Sequence, residues 1–329
     1  MYSLAPEVQI DVLKCPNFEQ LNSFKQTNFY FCELINKYEE ELACIEFISL
    51  YIVYIDKVEL IPSKFIPFES GIFEFNLNDQ LKKRWQTAID EAIPLYLHDF
   101  AYDTKYVVCL DKKDKEPYYI IELPNFPKNI QEMIIIRCWM EHLSKCCFRN
   151  TDFHKTAFNP EIINLLFDND RTAPLKFHTY LSYILASNVR FGKILKFVSN
   201  HLTPLNNLAI KFKGAYSAEY YFDILIKFLN NGNNNSTRVC LTNFESFGVI
   251  RLHNLIIKYI ETSKDLSKFV DCISISYSLP KIGLYESELV ELAQFNDLED
   301  SEFEIVNIHN PKFKFSFNNH QETTSIKRM

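Results

Sequence analysis

Hydrophobic side chains in the first forty residues recur at the three- and four-residue intervals of α-helices. Pro6 suits the first turn of a helix, where its missing N–H is not needed, and Val8 and Val12 lie four apart on one face. Pro16 then stops that helix. Two further helical patterns follow, the first at Phe18, Leu21 and Phe24 and the second at Phe31, Leu34, Ile35 and Tyr38. The pattern predicts three short helices packed end to end.

Three such helices bury too little apolar surface to be stable alone. Some of their apolar side chains must therefore contact a partner protein or the rest of the chain. An ordinary helical start to a larger domain is the alternative interpretation.

Residues 43–128 mix strand-like and helical patterns. The segment 45–55 is apolar and rich in β-branched residues, which is typical of strands. Asn78 is a candidate cap for a helix that extends to about Ala92. The apolar runs 106–110 and 118–123 flank a charged segment and predict a hairpin.

From about residue 129, predicted strands alternate with predicted helices. The strands are expected at 208–212, 238–242 and 271–277, and the helices at 191–202, 221–229 and 249–260. Leu208 and Val239 are 31 residues apart, and Val239 and Ile273 are 34 apart. A period near 30 indicates βα units stacked on a parallel sheet. The apolar runs that begin at Met133 and Ile162 are candidates for further strands of this rhythm.

The predicted fold class is therefore α+β to α/β. We expect a three-helix module at 1–42, a mixed connecting region at 43–128, a strand–helix repeat domain at 129–319 and a disordered tail at 320–329. We expect the repeat domain to be leucine-rich-repeat-like, and a compact doubly wound domain is the alternative. Near its end, 303–308 and 313–317 predict a hairpin.

The N-terminal residues resemble an F-box, the adaptor-binding module of SCF-type ubiquitin ligases. Leu4, Glu7 and Val8 match its opening, and Val12 and Leu13 match its hydrophobic pair. The rest of the match runs through Leu21, Phe24, Thr27, Asn28, Phe31, Leu34 and Ile35. Ala5 stands where the first proline is usual, and Pro16 stands where a leucine is usual.

Nearly the whole chain is similar to the large F-box families of nematodes, in phrases such as FKQTNFYF (24–31), FNPEIINLLFDND (158–170) and NPKFKFSF (310–317). The resemblance implies a non-catalytic substrate receptor that binds a Skp-type adaptor, and through it a cullin, and carries an unknown target protein on its C-terminal domain. The expected adaptor contacts are Leu4, Pro6, Val8, Val12, Leu13 and Leu21. The alternatives are a stand-alone interaction scaffold with a decayed F-box and an enzyme on an α/β domain.

Charge and composition indicate which classes of binding partner the protein is expected to have. The net charge of −7 is local, because eight carboxylates and no Lys or Arg lie between Glu286 and Glu304, in what we expect to be a solvated linker or loop. No broad basic face is implied, which argues against nucleic-acid binding. The longest apolar runs are far too short to cross a bilayer, and no signal peptide is visible, so we expect a cytoplasmic or nuclear protein without membrane contact. Free thiols are expected for the nine cysteines.

Sequence motifs for chemistry are scarce. The six glycines form none of the usual phosphate-binding or nucleophile motifs, and no cofactor is expected. Cys138, His142 and Cys146 are spaced four apart and have the residue types of metal ligands. Three ligands on one helix rarely converge on one ion, so core packing is the preferred interpretation and no metal site is assigned.

Overall fold

A computed structural model of the chain describes residues 6–13, 24, 27, 29–38, 45–58, 61–67, 69, 75, 77–97, 105–112, 117–167, 175–187, 190–213, 218–230, 238–278, 301–320 and 323–329. Within these ranges, only the backbone is described at 6–7, 36, 187, 213, 218–221, 243–251 and 277–278.

Eight α-helices and fourteen strands lie in the described part of the chain. The helices are α1 (Pro6–Leu13), α2 (Phe29–Lys37), α3 (Asp79–Asp90), α4 (Ile130–Ser144), α5 (Pro160–Phe167), α6 (Phe191–His201), α7 (Ala218–Leu229) and α8 (Ser246–Thr262). The first seven strands are β1 (Ile45–Tyr54), β2 (Ser63–Ile66), β3 (Tyr96–Leu97), β4 (Tyr106–Asp111), β5 (Tyr118–Ile121), β6 (Cys146–Phe153) and β7 (Ala157–Phe158). The other seven are β8 (Phe177–Ser187), β9 (Leu202–Lys213), β10 (Arg238–Glu245), β11 (Cys272–Ser278), β12 (Glu302–Val306), β13 (Lys314–His320) and β14 (Thr323–Arg328).

Twelve of these strands form one mixed sheet in the order β12-β13-β14-β11-β10-β9-β8-β6-β1-β4-β5-β2. The six strands from β1 through β6, β8, β9 and β10 to β11 are parallel and follow chain order across the sheet. Antiparallel pairs join β14, β13 and β12 at one end and β4 and β5 at the other, where β2 then pairs parallel with β5. The strands β3 and β7 form a separate two-stranded ribbon. The mixed α+β class is thus confirmed.

The register of the parallel strands reproduces the sequence period. Val239 pairs with Leu208 on one side and with Ile273 on the other, so the 31- and 34-residue intervals are pairings between neighbouring strands. The same row continues through Ser182, Thr151 and Leu50. All six side chains are buried at 1% exposure or less. We call this row the inner ladder.

The inner ladder packs against the helices. Side chains of α5, α6, α7 and α8 join the ladder in one hydrophobic core, and each of these helices contacts the next. Right-handed connections between strands that advance in one direction place every connecting helix on the same face of a sheet. The other face is therefore left free of these helices.

In β6 and β8, the alternation of buried and more exposed side chains is interrupted once. Phe148, Thr151 and Phe153 are buried in β6, a spacing of three and then two, and the core residues Phe47, Leu50 and Ile52 of β1 have the same spacing. The register of β8 against β9 also shifts by one residue, because Thr179 pairs with Pro204 and Leu181 pairs with Asn207. Strict alternation of inward and outward side chains cannot describe these strands.

Two predicted strands are helices instead. The runs at Met133 and Ile162 lie in α4 and α5, so the interpretation of both as strands is wrong. Asn129 caps α4 by accepting a hydrogen bond from the backbone N–H of Glu132, and the Glu132 carboxylate accepts one from the N–H of Lys128. This cap, together with burial of Met133, Ile136 and Met140 at helical spacing, selects the helix over the strand.

The prediction of a disordered tail at 320–329 is also wrong. Thr323–Arg328 is the strand β14, which pairs with β11 on one side and with β13 on the other. Ile326 is buried there against the main core. The hairpins predicted at 106–123 and 303–317 are present as β4–β5 and β12–β13.

The predicted boundary after residue 128 does not separate two cores. Strands from both sides of it belong to the same sheet, and one hydrophobic cluster includes Trp85 from before it and Ile256 from after it. Among the described helices, none combines the length and apolar character that a membrane span requires.

Candidate interaction surfaces

The N-terminal helices α1 and α2 share a small core of their own. Leu13 is fully buried in a cluster with Phe31 and Ile35, separate from the main core. Gln9 lies one turn before Leu13, and its side-chain oxygen accepts a hydrogen bond of 2.5 Å from the hydroxyl of Tyr30. The helix period therefore turns the Gln9–Leu13 side of α1 toward α2.

The next positions around α1 face outward. Val8 is 45% exposed and Val12 is 38% exposed. Of the six predicted adaptor contacts, these two are accessible, whereas Leu13 belongs to the internal core. Pro6 is the first residue of α1; its side chain, together with Leu4 and Leu21, lies outside the described residues.

The predicted contacts omitted two exposed aromatic residues at the start of α2. Phe29 is 77% exposed and Tyr30 is 41% exposed. The sequence could have indicated their exposure, because Phe29 and Tyr30 do not lie on the helix face that Phe31 and Ile35 share. Exposed large apolar side chains on a small module are typical of a protein-binding surface.

Cys138, His142 and Cys146 contact one another through backbone carbonyl groups near the end of α4. The ring nitrogen Nδ1 of His142 lies 2.7 Å from the carbonyl oxygen of Cys138, and the Cys146 thiol donates to the carbonyl of His142 at 3.2 Å. Burial raises the pKa of the Cys146 thiol to about 12, which disfavours the thiolate that binds metals. Across the described residues, no group of three metal-binding side chains comes together.

One of the described cysteines is not a free thiol, contrary to the prediction from the sequence. Cys32, Cys109, Cys138, Cys146, Cys240 and Cys272 are free thiols. Cys147 is instead disulfide-bonded, which corrects the prediction that all cysteines are free.

A second surface lies on the sheet, opposite the helices. We define the open face by the row beside the inner ladder, in which Tyr183, Ala209, Cys240, Ser274 and Ser325 lie on five neighbouring strands. These side chains are exposed or half-buried, whereas the residue before each of them in the chain is buried. The open face is therefore a wide strip of mostly small side chains, bounded on one side by Tyr183.

An imidazole–carboxylate pair lies beside that boundary. Asp152, which pairs with Tyr183 across β6 and β8, holds the Nδ1 atom of His154 at 2.7 Å. The His154 ring stacks on the Tyr183 ring at 6.2 Å between centroids. A histidine acts as a general base only within hydrogen-bond reach of a reacting group, and among the described residues the second contact of His154 is an aromatic ring.

The comparisons give one family match. Residues 66–213 match the model of a domain of unknown function, DUF8381. The matched span extends from β2 to β9 and crosses the predicted boundary after residue 128. No curated protein and no solved structure matched the chain.

Proposed function

We propose that this protein is an F-box substrate receptor of an SCF-type ubiquitin ligase. In this proposal, α1 and α2 bind a Skp-type adaptor that is held by a cullin, and the sheet domain binds a target protein. Ubiquitin transfer belongs to other subunits, so no catalytic residue is required of this chain.

The observation that carries the proposal is the pair of exposed valines, Val8 and Val12, on a module with its own small core. Leu13, packed with Phe31 and Ile35, holds the two helices together from inside. Burying the outer valines against another protein would stabilise a complex, because the module itself has no room for them. Their positions also match the F-box resemblance of the sequence.

The sheet domain supports the receptor part of the proposal. Buried residues spaced three and then two apart, as in Phe148, Thr151 and Phe153, follow the L-x-x-L-x-L strand pattern of leucine-rich repeats. Parallel strands in chain order with helices on one side are also the arrangement of such repeats. We therefore propose a degenerate leucine-rich-repeat-like array, whose open face binds the target.

The alternative is a stand-alone interaction scaffold with a decayed F-box. Pro16 and Ala5 favour it, since both depart from the F-box pattern. A scaffold would bind its partner with or without residues 1–42, whereas adaptor binding requires them.

The test is co-purification with a purified Skp-type adaptor. We expect the full chain to bind, and we expect a chain that starts near Leu42 to lose binding. In the full chain, Val8→Asp with Val12→Asp should weaken binding by at least about tenfold, because charges replace apolar contacts at the interface. Binding of the full chain and the shortened chain alike would reject the assignment of the interface to α1 and α2.

A matched control distinguishes interface loss from general damage. Phe65 and Ile308 are also exposed apolar residues, at 49% and 67%, but they lie on the sheet domain. Phe65→Asp with Ile308→Asp should leave adaptor binding unchanged. If the full chain fails to bind while its circular dichroism spectrum shows a folded protein, the scaffold alternative is favoured.

A further inference from the structure

Three cationic side chains lie on the same face of the sheet. Lys211, Arg238 and Lys327 are exposed, and each adjoins a residue that is fully buried in the main core: Ile210, Val239 and Ile326. Because successive side chains of a strand point to opposite faces, the three cations point away from the helices. They therefore belong to the open face.

The pairings of the strands fix how these cations are spaced. Arg238 pairs with Cys272, and Cys272 pairs with Lys327, so two strand spacings of about 4.8 Å each separate the two cations. Lys211 lies four residues beyond Asn207, the partner of Arg238 in β9, which places it about 13 Å further along the strands. The three positive charges thus form a triangle over several strands.

These charges have no carboxylate partner among the residues that the structure describes. Elsewhere on the sheet, Lys314 pairs with Glu304 at 2.6 Å and Arg328 pairs with Asp271 at 2.9 Å. Lys211, Arg238 and Lys327 form no such pair within the described ranges. The open face therefore carries three positive charges that no described carboxylate pairs with, on a chain whose net charge is −7.

Small side chains lie between the cations. Ala209, Cys240 and Ser274 are neighbours across three strands, and the ring of Tyr183, 40% exposed, lies beside Ala209. Because these side chains are small, the backbone of another protein segment can approach the sheet closely here. The exposed tyrosine adds one apolar contact at the edge of that floor.

We propose that the open face binds an extended acidic segment of a partner protein. Carboxylates of that segment pair with Lys211, Arg238 and Lys327, and an apolar side chain packs on Tyr183. A long nucleic acid fits less well, because the net negative charge of the chain repels a polyanion.

This inference deepens the proposed function, since in a substrate receptor the acidic segment belongs to the target. Binding to the open face is nevertheless independent of the adaptor. The test below contains no adaptor, so its failure and the failure of the F-box assignment are distinguishable.

The test is fluorescence anisotropy with the full chain. The probe is a short fluorescein-labelled peptide in which glutamates alternate with serines around a central phenylalanine. The test variant carries Lys211→Glu, Arg238→Glu and Lys327→Glu. The control variant carries Lys82→Glu, Lys83→Glu and Lys258→Glu, three exposed lysines on helices α3 and α8, and has the same net charge as the test variant.

We expect saturable binding to the native chain that weakens as salt is added. The test variant should lose at least about tenfold in affinity, and the control variant should lose much less. Tyr183→Ala should weaken binding without changing its salt dependence. Equal losses in the two triple variants, no saturable binding by the native chain, or tighter binding of a single-stranded oligonucleotide or of anionic vesicles than of the peptide would each overturn the proposal.

Discussion

Several buried polar residues depend on specific partners. Arg137 is 4% exposed, donates to the backbone oxygen of Leu166 and lies over the rings of Phe75 and Phe167, 4.1 and 4.7 Å from their centroids. In the inner ladder, Thr151 donates a hydrogen bond of 2.8 Å to Ser182. These contacts satisfy polar groups that would otherwise be costly to bury.

Histidine burial makes the stability of the protein depend on pH. His253 is fully buried and packs edge-on against the Phe317 ring. Burial lowers its pKa from 6.5 to about 3, and burial also lowers the pKa of His201. Because the unfolded chain binds a proton at each of these residues below about pH 6.5 and the folded chain does not, acid favours unfolding.

The free energy of unfolding should therefore fall as the pH drops from about 6.5 toward 3. For His253 alone, the loss should reach about 2 kcal/mol at pH 5. Urea titrations of the native chain and of His253→Leu across this range would measure it. We expect the variant to have a shallower dependence on pH, whatever its stability at neutral pH. Parallel curves would contradict this account, because they would show that folding does not change the protonation of His253.

Capping residues determine where helices begin. Asn78 accepts a hydrogen bond of 2.8 Å from the N–H of Leu81 at the start of α3, as the sequence predicts. Asn129 does the same for α4, but the apolar run after it was interpreted as a strand. The signal that would have corrected this is the spacing of Asn129 and Glu132. Asn129 accepts from the N–H of Glu132, and the Glu132 carboxylate accepts from the side-chain amide of Asn129 and from the N–H of Lys128. Local polar residues thus outweighed the β propensity of three consecutive isoleucines.

Removal of the α4 cap should be measurable. We expect Asn129→Ala to lower the free energy of unfolding by about 1 kcal/mol, because the N–H of Glu132 loses its acceptor. Chemical denaturation would measure the change. Asn254→Ala is the matched control: Asn254 is exposed within α8, where alanine is the better helix former, so a neutral or slightly stabilising effect is expected. Similar losses in both variants would contradict a specific role of the cap.

The strand β14 connects the two parts of the sheet that lie on either side of it. β14 lies between β11 and β13, so the hairpin of β12 and β13 joins the parallel strands only through it. The side chain of Asn307, at the end of β12, also donates hydrogen bonds to the carbonyls of Ile260 and Ser263 at the end of α8. The C-terminus is therefore part of the sheet and of its core.

Ending the chain after residue 320 should destabilise the protein strongly. The truncation removes Ile326 from the core and exposes the edge of β11. We expect a melting temperature at least about 5 °C lower, or aggregation, in thermal unfolding followed by circular dichroism. Removal of Met329 alone, which is 70% exposed, should have little effect. An unchanged melting temperature after the longer truncation would contradict the position of β14.

The sequence by itself determined most of the elements, because a helix period, a cap or a hairpin depends on residues close together in the chain. It also indicated parallel strands with a period near 30 residues, and the structure pairs the positions that mark this period, Val239 with Leu208 and Ile273. Within the candidate adaptor surface, it identified Val8 and Val12 but did not distinguish them from the buried Leu13.

Only the tertiary structure decided the remaining features. Ile45 pairs with Cys146, and the C-terminal strand joins β11, because these strands bury apolar surface together although no short-range pattern links them. The open face with Lys211, Arg238 and Lys327 likewise exists only once strands far apart in the chain have aligned. The sequence thus fixes local geometry through short-range contacts, whereas burial of the shared core determines which distant strands, and which surface charges, become neighbours.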